Sequence, residues 1–164
     1  MTSMDPLAWH DFFVGAMGAS AALTGLLFVA ISINLEQILK FPNLPGRAAG
    51  SLGVLVCALV VSGCGLVPVQ HRVALGSEIA VLGAVVTFQA LWVTVRAGTP
   101  EGDRMAWRVE RTLTLLLPGA LFLAGGLSLV AGGGGGLYWI FAATALAFIV
   151  SAINAWVLLV EVLR

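Results

Sequence analysis

The sequence predicts an all-α fold: a single transmembrane domain over residues 1–164, built as a polytopic bundle of five helices. Three observations lead to this prediction. Hydrophobic residues make up 60% of the chain, charged residues only 10%, and the mean hydropathy is +1.04. Because an ordinary soluble domain carries about 25% charged residues, too few polar side chains are present to cover a surface that faces water. Long apolar runs separate the charges, and a run of glycines divides the longest of them.

The first two uncharged runs are each long enough to form one membrane-spanning helix. They cover residues 12–35 and residues 48–71. A helix needs about 20 apolar residues to cross a hydrocarbon core of about 30 Å. We therefore expect helices at about 12–38 and 48–69, joined by a turn that contains prolines, since proline interrupts helices.

The third uncharged run is short for a membrane span, and the fourth is too long for a single helix. Residues 79–95 reach span length only if the helix begins near Ala74 and includes Glu78. Within residues 112–160, the glycines from Gly132 to Gly136 mark a turn, because glycine adopts turn conformations freely and loses the most backbone entropy in a helix. We expect the last three helices at about 74–95, 104–131 and 137–161.

The positions of the basic residues predict the orientation in the membrane. Lys and Arg accumulate in the cytoplasmic loops of membrane proteins. In the five-helix arrangement, Arg72 lies on one side, and every other Lys and Arg lies on the opposite side, including Lys40, Arg47 and Arg164. We therefore expect a multipass protein of the inner (plasma) membrane of a bacterium, with its N-terminus outside and its C-terminus in the cytoplasm.

The tryptophans agree with five helices. Trp9 and Trp139 fall at the predicted outer boundary of the membrane, and Trp92, Trp107 and Trp156 fall near the inner boundary. Tryptophan prefers the headgroup layer, where its ring is in contact with apolar chains and its N–H meets water. A map with four helices would place some of these side chains in the middle of the bilayer.

The motifs of known catalytic sites do not occur in the sequence. There is no Gly-x-Ser-x-Gly elbow, no His-Glu-x-x-His pair and no Walker loop. No predicted span carries Asp, Glu, Lys or Arg near its centre, so a proton-driven carrier would lack its usual relay. Eight Lys and Arg balance eight Asp and Glu, which gives no reason to expect a nucleic-acid partner. We expect that the protein is not an enzyme.

One segment of the first helix is similar to known sequences. The stretch from Ala22 to Asn34, which reads Ala-Leu-Thr-Gly-Leu-Leu-Phe-Val-Ala-Ile-Ser-Ile-Asn, resembles the first helix of small uncharacterised multipass membrane proteins of bacteria. The resemblance covers this segment alone, and it implies no activity.

Small residues recur along the first helix and form the first candidate site. Gly15, Gly18, Ala22 and Gly25 lie at spacings that place them along one side of a helix. In lipid, where the burial of apolar surface gives no net drive, such residues let two helix backbones approach closely. We expect this stripe to pack against another helix, either within the chain or at an interface between subunits.

Three amide side chains form the second candidate site. Asn34, Gln89 and Asn154 all fall in the predicted cytoplasmic third of the membrane. An amide that faces lipid without a partner is unfavourable, so we expect hydrogen bonds between helices. The alternative is a polar vestibule that lines a permeation path.

The third candidate site lies at the predicted outer boundary. His10 and Asp11 open the first helix, His71 lies between the second and third helices, and Glu78 lies in the first turn of the third. Imidazoles and carboxylates together are able to hold a divalent metal ion or a proton, and paired histidines are able to ligate haem. The alternative is a set of solvated or paired residues at the membrane interface.

These observations leave three hypotheses of function. The first is a non-catalytic integral membrane protein, acting as an assembly or accessory subunit or as a self-associating bundle. The second is a small homo-oligomeric ion or solute channel lined by the three amides. The third is a protein that binds a metal ion or haem at His10 and His71; otherwise we expect no cofactor. In each case the expected partners are the lipid bilayer and either further copies of the chain or a membrane complex.

Overall fold

A computed structural model describes residues 5–40, 44–96, 105–157 and 159. Nearly all of these residues are helical, and none of them lies in a strand. A short 3-10 turn, Pro6–Trp9, precedes the first long helix. The helices are α1 (His10–Ile33), α2 (Leu35–Lys40), α3 (Leu44–Gly65), α4 (Arg72–Arg96), α5 (Met105–Ala131) and α6 (Leu137–Trp156).

Four helical segments are long and apolar enough to cross a membrane. They are Pro6–Ile33, Leu44–Gly65, Arg72–Trp92 and Leu137–Trp156. In α5 the apolar segment is the shorter Leu116–Ala131, which is the part of that helix whose side chains are described. The predicted all-α fold is confirmed, and the helices are compatible with a membrane bundle.

The structure divides the first predicted helix, 12–38, into two. α1 ends at Ile33, Asn34 adopts φ −103° and ψ 15°, and α2 follows directly. The Asn34 N–H still donates to the carbonyl of Ala30 at 3.3 Å, so the chain departs only slightly from the helix. Asparagine favours helix ends because its side chain competes for backbone hydrogen bonds.

Helix α3 begins and ends about four residues before the predicted 48–69. Pro45 lies in its first turn, where a missing N–H removes no helical hydrogen bond. Gly65 ends it ahead of Pro68, as expected for the glycine-then-proline order at helix ends. The starts of α4 and α6 agree with the predictions to within about two residues. The predicted start at 104 and the predicted end at 161 lie outside the described residues.

Successive long helices run in opposite directions. Phe13, near the start of α1, lies against Gly65 at the end of α3, whereas Leu27, farther along α1, shares a cluster with Leu55. The contacts of α4 with α3 and with α5 follow the same antiparallel order. The chain therefore reverses at each connection between long helices, including the predicted glycine turn.

Helices α1 and α6 run parallel, and aromatic pairs join their first turns. The ring centroids of Trp9 and Tyr138 are 5.0 Å apart, and those of Phe12 and Phe141 are 5.8 Å apart. One end of the bundle thus holds the starts of α1, α4 and α6 and the ends of α3 and α5. We call it the glycine-turn end, and we call the opposite end, which holds α2, the α2 end.

Helix α3 lies at the centre of the bundle. It contacts α1, α4, α5 and α6, and half of its most apolar 18-residue stretch is buried. The peripheral α1 has only 22% of its corresponding stretch buried. The main core cluster combines side chains from all five long helices: Phe13, Val54, Cys57, Ala58, Val61, Leu75, Ile79, Val86, Phe122, Leu129, Leu137, Ile140, Ala143 and Ala147.

Helices α4 and α5 approach each other closely along their backbones. A Cβ atom built on Gly83 would lie 2.4 Å from the backbone N of Leu123, and one built on Gly126 would lie 2.4 Å from the backbone N of Ala80. A Cβ built on Gly76 would lie 2.8 Å from the carbonyl oxygen of Gly126. Only glycine lets two helix backbones come this close, as in the tightly packed helix pairs of membrane proteins.

The glycine run forms a turn that the chain holds by its own hydrogen bonds. Four residues of the turn have φ between 51° and 105°, a region that residues other than glycine rarely adopt: Gly132, Gly134, Gly135 and Gly136. The Ser128 hydroxyl donates to the Gly133 carbonyl and accepts from the Gly136 N–H at 2.9 Å. The indole N–H of Trp139 donates to the Gly134 carbonyl at 2.6 Å. The positive φ angles of this turn favour glycine, as the sequence predicts.

Candidate functional site

The stripe of small residues on α1 faces away from the rest of the chain. A Cβ atom added at Gly15, Gly18 or Gly25 would have no neighbouring atom within 4 Å, and Ala22 is exposed. The opposite side of α1, which includes Phe13 and the fully buried Ser20, packs into the bundle. Among the described residues, the predicted stripe therefore has no packing role within the chain.

The small residues of the exposed stripe have the spacing that is typical of a helix packed lengthwise against another helix. The steps between Gly15, Gly18, Ala22 and Gly25 alternate between three and four residues, close to the 3.5-residue average of a heptad seam. The chain uses a similar alternation where α4 packs on α5, since the seam of α4 passes through Gly76, Ala80, Gly83 and Thr87. We call the four residues on α1 the α1 seam.

Asn154 is the centre of a polar network between α3 and α6. Its Oδ1 accepts from Arg47 Nε at 2.8 Å, and its Nδ2 donates to Ser51 Oγ at 2.6 Å. The Ser51 hydroxyl donates to the backbone carbonyl of Arg47 at 3.1 Å, and the Ser151 hydroxyl approaches the Ser51 carbonyl at 3.5 Å. Asn154, Ser51 and Ser151 are buried, and Arg47 is half-buried. The network joins the two helices at the α2 end.

The other two predicted amides lie elsewhere around the bundle. Gln89 on α4 covers Gly53 of α3, because a Cβ atom built on Gly53 would lie 2.9 Å from Gln89 Oε1. On a helix with 100° per residue, Gly53 and Ser51 point roughly 160° apart, so Gln89 and Asn154 contact different sides of α3. Asn34 is buried at the junction of α1 and α2.

Two of the four predicted outer residues line one cavity at the glycine-turn end. The cavity has a volume of about 970 Å³ between the Pro6–Trp9 turn and the loop that joins α3 to α4. Its lining includes His10, His71 and the exposed Arg72. At its rim, Val69 has φ 57° and is 97% exposed, an unfavourable conformation for a β-branched residue.

The carboxylates of this predicted site are engaged with near neighbours. Asp11 Oδ1 lies 3.4 Å from Nδ1 of His10, and both side chains are exposed. Glu78 accepts from Nε2 of Gln70 at 2.7 Å and also interacts with the Cys64 thiol. No three His, Cys, Asp or Glu side chains in the described part of the chain are placed to hold one metal ion.

Sequence reasoning did not identify the glycines that let α4 and α5 pack closely together. Gly76 and Gly83 are seven residues apart on α4, and Gly119 and Gly126 are seven apart on α5. A search for glycines at heptad spacing on neighbouring helices would have detected the match. From its sequence position, Arg47 is predicted only to be a cytoplasmic charge, and nothing indicates that it is the partner of Asn154.

Comparison of the chain with protein-family models, with curated proteins and with solved structures finds no match. The features that bear on function are therefore those of the molecule itself. They are the unpacked α1 seam, the buried network around Asn154 and the cavity that His10 and His71 line.

Proposed function

We propose that this chain is a non-catalytic integral membrane protein of the bacterial inner membrane, an assembly or accessory subunit that self-associates through α1. It crosses the membrane five times, with its N-terminus outside and its C-terminus in the cytoplasm. The observation that carries the proposal is the α1 seam, which has the small residues of a close helix contact and no partner within the described chain.

The lengths and directions of the helices support five crossings. The 27 residues of α5 extend about 40 Å at 1.5 Å per residue, which exceeds a hydrocarbon core of about 30 Å. The five long helices alternate in direction, so the start of α1 and the end of α6 lie at opposite ends of the bundle. Lys40 and Arg47 belong to the α2 end, which the positive-inside rule assigns to the cytoplasm.

Labelling of single cysteines tests this orientation. In a chain with Cys57→Ala and Cys64→Ala, we expect a membrane-impermeant maleimide added to spheroplasts to label Leu7→Cys, because Leu7 is 80% exposed at the glycine-turn end. Glu36→Cys at the α2 end should react only after the membrane is permeabilised. Labelling of both positions from outside, or of Glu36→Cys alone, would contradict the proposed orientation.

The occupant that best fits the α1 seam is the same helix of a second copy. Copies inserted in the same orientation are related by a two-fold axis along the membrane normal, which makes the two α1 helices parallel and sets each seam residue against its own equivalent. Glycine faces glycine in such a pair, so the two backbones approach as closely as those of α4 and α5. Pairs of this kind are a known mode of helix association in lipid.

Cross-linking at Gly18 tests the dimer. In the cysteine-free chain, we expect Gly18→Cys to form a disulfide-linked dimer in membranes, because seam Cα atoms in such a pair lie within the roughly 7 Å that a disulfide requires. Gly18→Leu should weaken self-association by about tenfold or more, since a large side chain separates the backbones. Ala124→Cys and Ala124→Leu, on an exposed face of α5, are the matched controls.

Two outcomes would refute this association. One is cross-linking of Gly18→Cys no greater than that of Ala124→Cys in membranes. The other is purified protein that stays monomeric in proteoliposomes whether residue 18 is Gly or Leu. In either case a second copy does not occupy the α1 seam.

The two other hypotheses stay predictions. A channel lined by Asn34, Gln89 and Asn154 gains no particular support, because Gln89 and Asn154 contact different sides of α3. Ion flux into proteoliposomes is its direct test. Metal or haem binding at His10 and His71 is tested by metal analysis and by the visible absorption spectrum of the purified protein.

A further inference from the structure

A small cavity lies between α3 and α4, beside the predicted amide Gln89. The space open to the centre of a water molecule is about 10 Å³. The cavity is lined by residues of these two helices, all of them buried except the half-buried Gln89: Gly50, Val54, Val86, Gln89 and Ala90. Because a cavity needs about 10–15 Å³ to hold one water molecule, the size of this cavity fits a single water.

The side chain of Gln89 makes no hydrogen bond to any residue that the structure describes. Its amide lies against Gly53, where a Cβ atom would be 2.9 Å from Oε1 and 3.4 Å from Nε2. Asn154, by contrast, uses both ends of its amide in hydrogen bonds to neighbouring side chains. An amide has two donor hydrogens and two acceptor lone pairs, and leaving them all without partners inside a membrane is unfavourable. Gln89 therefore needs a partner that is not a side chain of the described bundle.

The backbone of α3 is open to the same cavity. Gly50 lines the cavity and has no side chain, so its contact with the cavity is made by backbone atoms. A helical carbonyl oxygen uses one lone pair for the N–H four residues later, and its second lone pair is able to accept another hydrogen bond. A buried water needs two to four polar partners. Gln89 on α4 and the Gly50 backbone on α3 supply partners from both sides.

We infer that the cavity between α3 and α4 binds one water molecule, which bridges the Gln89 amide to the backbone of Gly50. The inference rests on the membrane location proposed above, because in lipid the amide has no bulk water to hydrogen-bond. A bridging water is nearly as favourable in enthalpy as a direct hydrogen bond, so it links the two helices where their side chains do not reach each other. Gln89 then holds a bound water, whereas a residue that lines a permeation path meets mobile water.

Cross-relaxation between water and protein, measured by NMR on the full chain in lipid nanodiscs, tests the inference. We expect a cross-peak between water and the side-chain N–H of Gln89, with opposite signs in the laboratory and rotating frames, as a bound water gives. Ala90→Val adds two methyl groups to the cavity lining and should weaken this cross-peak by about fivefold or more, because the space for the water is filled. Ala84→Val, on the exposed side of α4, is the matched control and should leave the cross-peak unchanged.

Unfolding in detergent gives a second measurement that does not depend on the cross-peak. Ala90→Val should lower the unfolding midpoint about twice as much in the wild type as in a Gln89→Leu chain, because leucine needs no water and loses nothing when the water is displaced. Equal losses in the two backgrounds would overturn the inference.

Three NMR results would also overturn it. They are the absence of a cross-peak at Gln89, a cross-peak that Ala90→Val and Ala84→Val retain equally, and a cross-peak with the same sign in both frames, which indicates mobile water. Labelling of Leu7→Cys and Glu36→Cys reports the membrane location whatever residue occupies position 90. A failure of this inference is therefore distinguishable from a failure of the proposed location.

Discussion

Gly83→Ala lowers the stability of the bundle, although alanine forms helices more readily than glycine. The new Cβ atom would lie 2.4 Å from the backbone N of Leu123 and 2.9 Å from its Cα. Because both are main-chain positions, a change of rotamer on α5 does not relieve the contact, and the two helices must separate. Forced overpacking of this kind costs about 1–3 kcal/mol, more than the roughly 1 kcal/mol that alanine gains in helix propensity.

The partner helix gives an independent version of the same test. Gly126→Ala places a Cβ atom 2.4 Å from the backbone N of Ala80 and 2.6 Å from the carbonyl oxygen of Gly76, so we expect a loss of similar size. Gly63→Ala on α3 is the control, because a Cβ atom there meets nothing within 4 Å. Equilibrium unfolding in mixed micelles of detergent and sodium dodecyl sulfate measures all three. A Gly83→Ala protein as stable as Gly63→Ala would show that α4 and α5 are not in backbone contact.

Asn154→Leu is the second substitution for which we expect a large effect. Leucine fills a similar volume but leaves Arg47 Nε without its acceptor and Ser51 Oγ without the donor that reaches it at 2.6 Å. A buried polar group deprived of its partner costs about 1–3 kcal/mol. We therefore expect the free energy of unfolding to fall by that amount, and α3 and α6 to separate first at the α2 end.

Asn154→Asp distinguishes the loss of hydrogen bonds from a general sensitivity of the position. The carboxylate keeps the shape of the amide, accepts from Arg47 with the added strength of a charged pair, and accepts from a rotated Ser51 hydroxyl. We expect its unfolding free energy to lie within about 1 kcal/mol of the wild type and clearly above that of Asn154→Leu. If Asn154→Leu had the same unfolding free energy as Asn154→Asp, the network would not be what joins α3 and α6.

The sequence was sufficient for the features that depend on local composition. The uncharged runs predict the long helices, and the run from Gly132 to Gly136 predicts the reversal between α5 and α6, because length, hydropathy and glycine conformation act over short stretches. The bounds shifted where a single residue decides a helix end, as at Asn34 and Pro45.

Contacts between distant segments could not be predicted in the same way. Arg47 and Asn154 are 107 residues apart, and nothing local to either indicates the other. Gly83 fits against Leu123 only because α4 and α5 are rotated about their axes, and offset along them, so that these two residues meet. The same limit applies to the seam through Gly18: its spacing predicts a close contact, but only the packing of the other helices shows that this side is left open.

The parallel arrangement of α1 and α6 has a consequence for how the protein is made. Each of the long helices from α3 to α5 packs on the long helix before it, so a growing chain can add them one at a time as antiparallel hairpins. α6 packs on α5 as well, but its rings Tyr138 and Phe141 also contact Trp9 and Phe12 at the start of α1. The contacts between α6 and α1 therefore cannot form until α3, α4 and α5, which lie between them in the sequence, have all been synthesised.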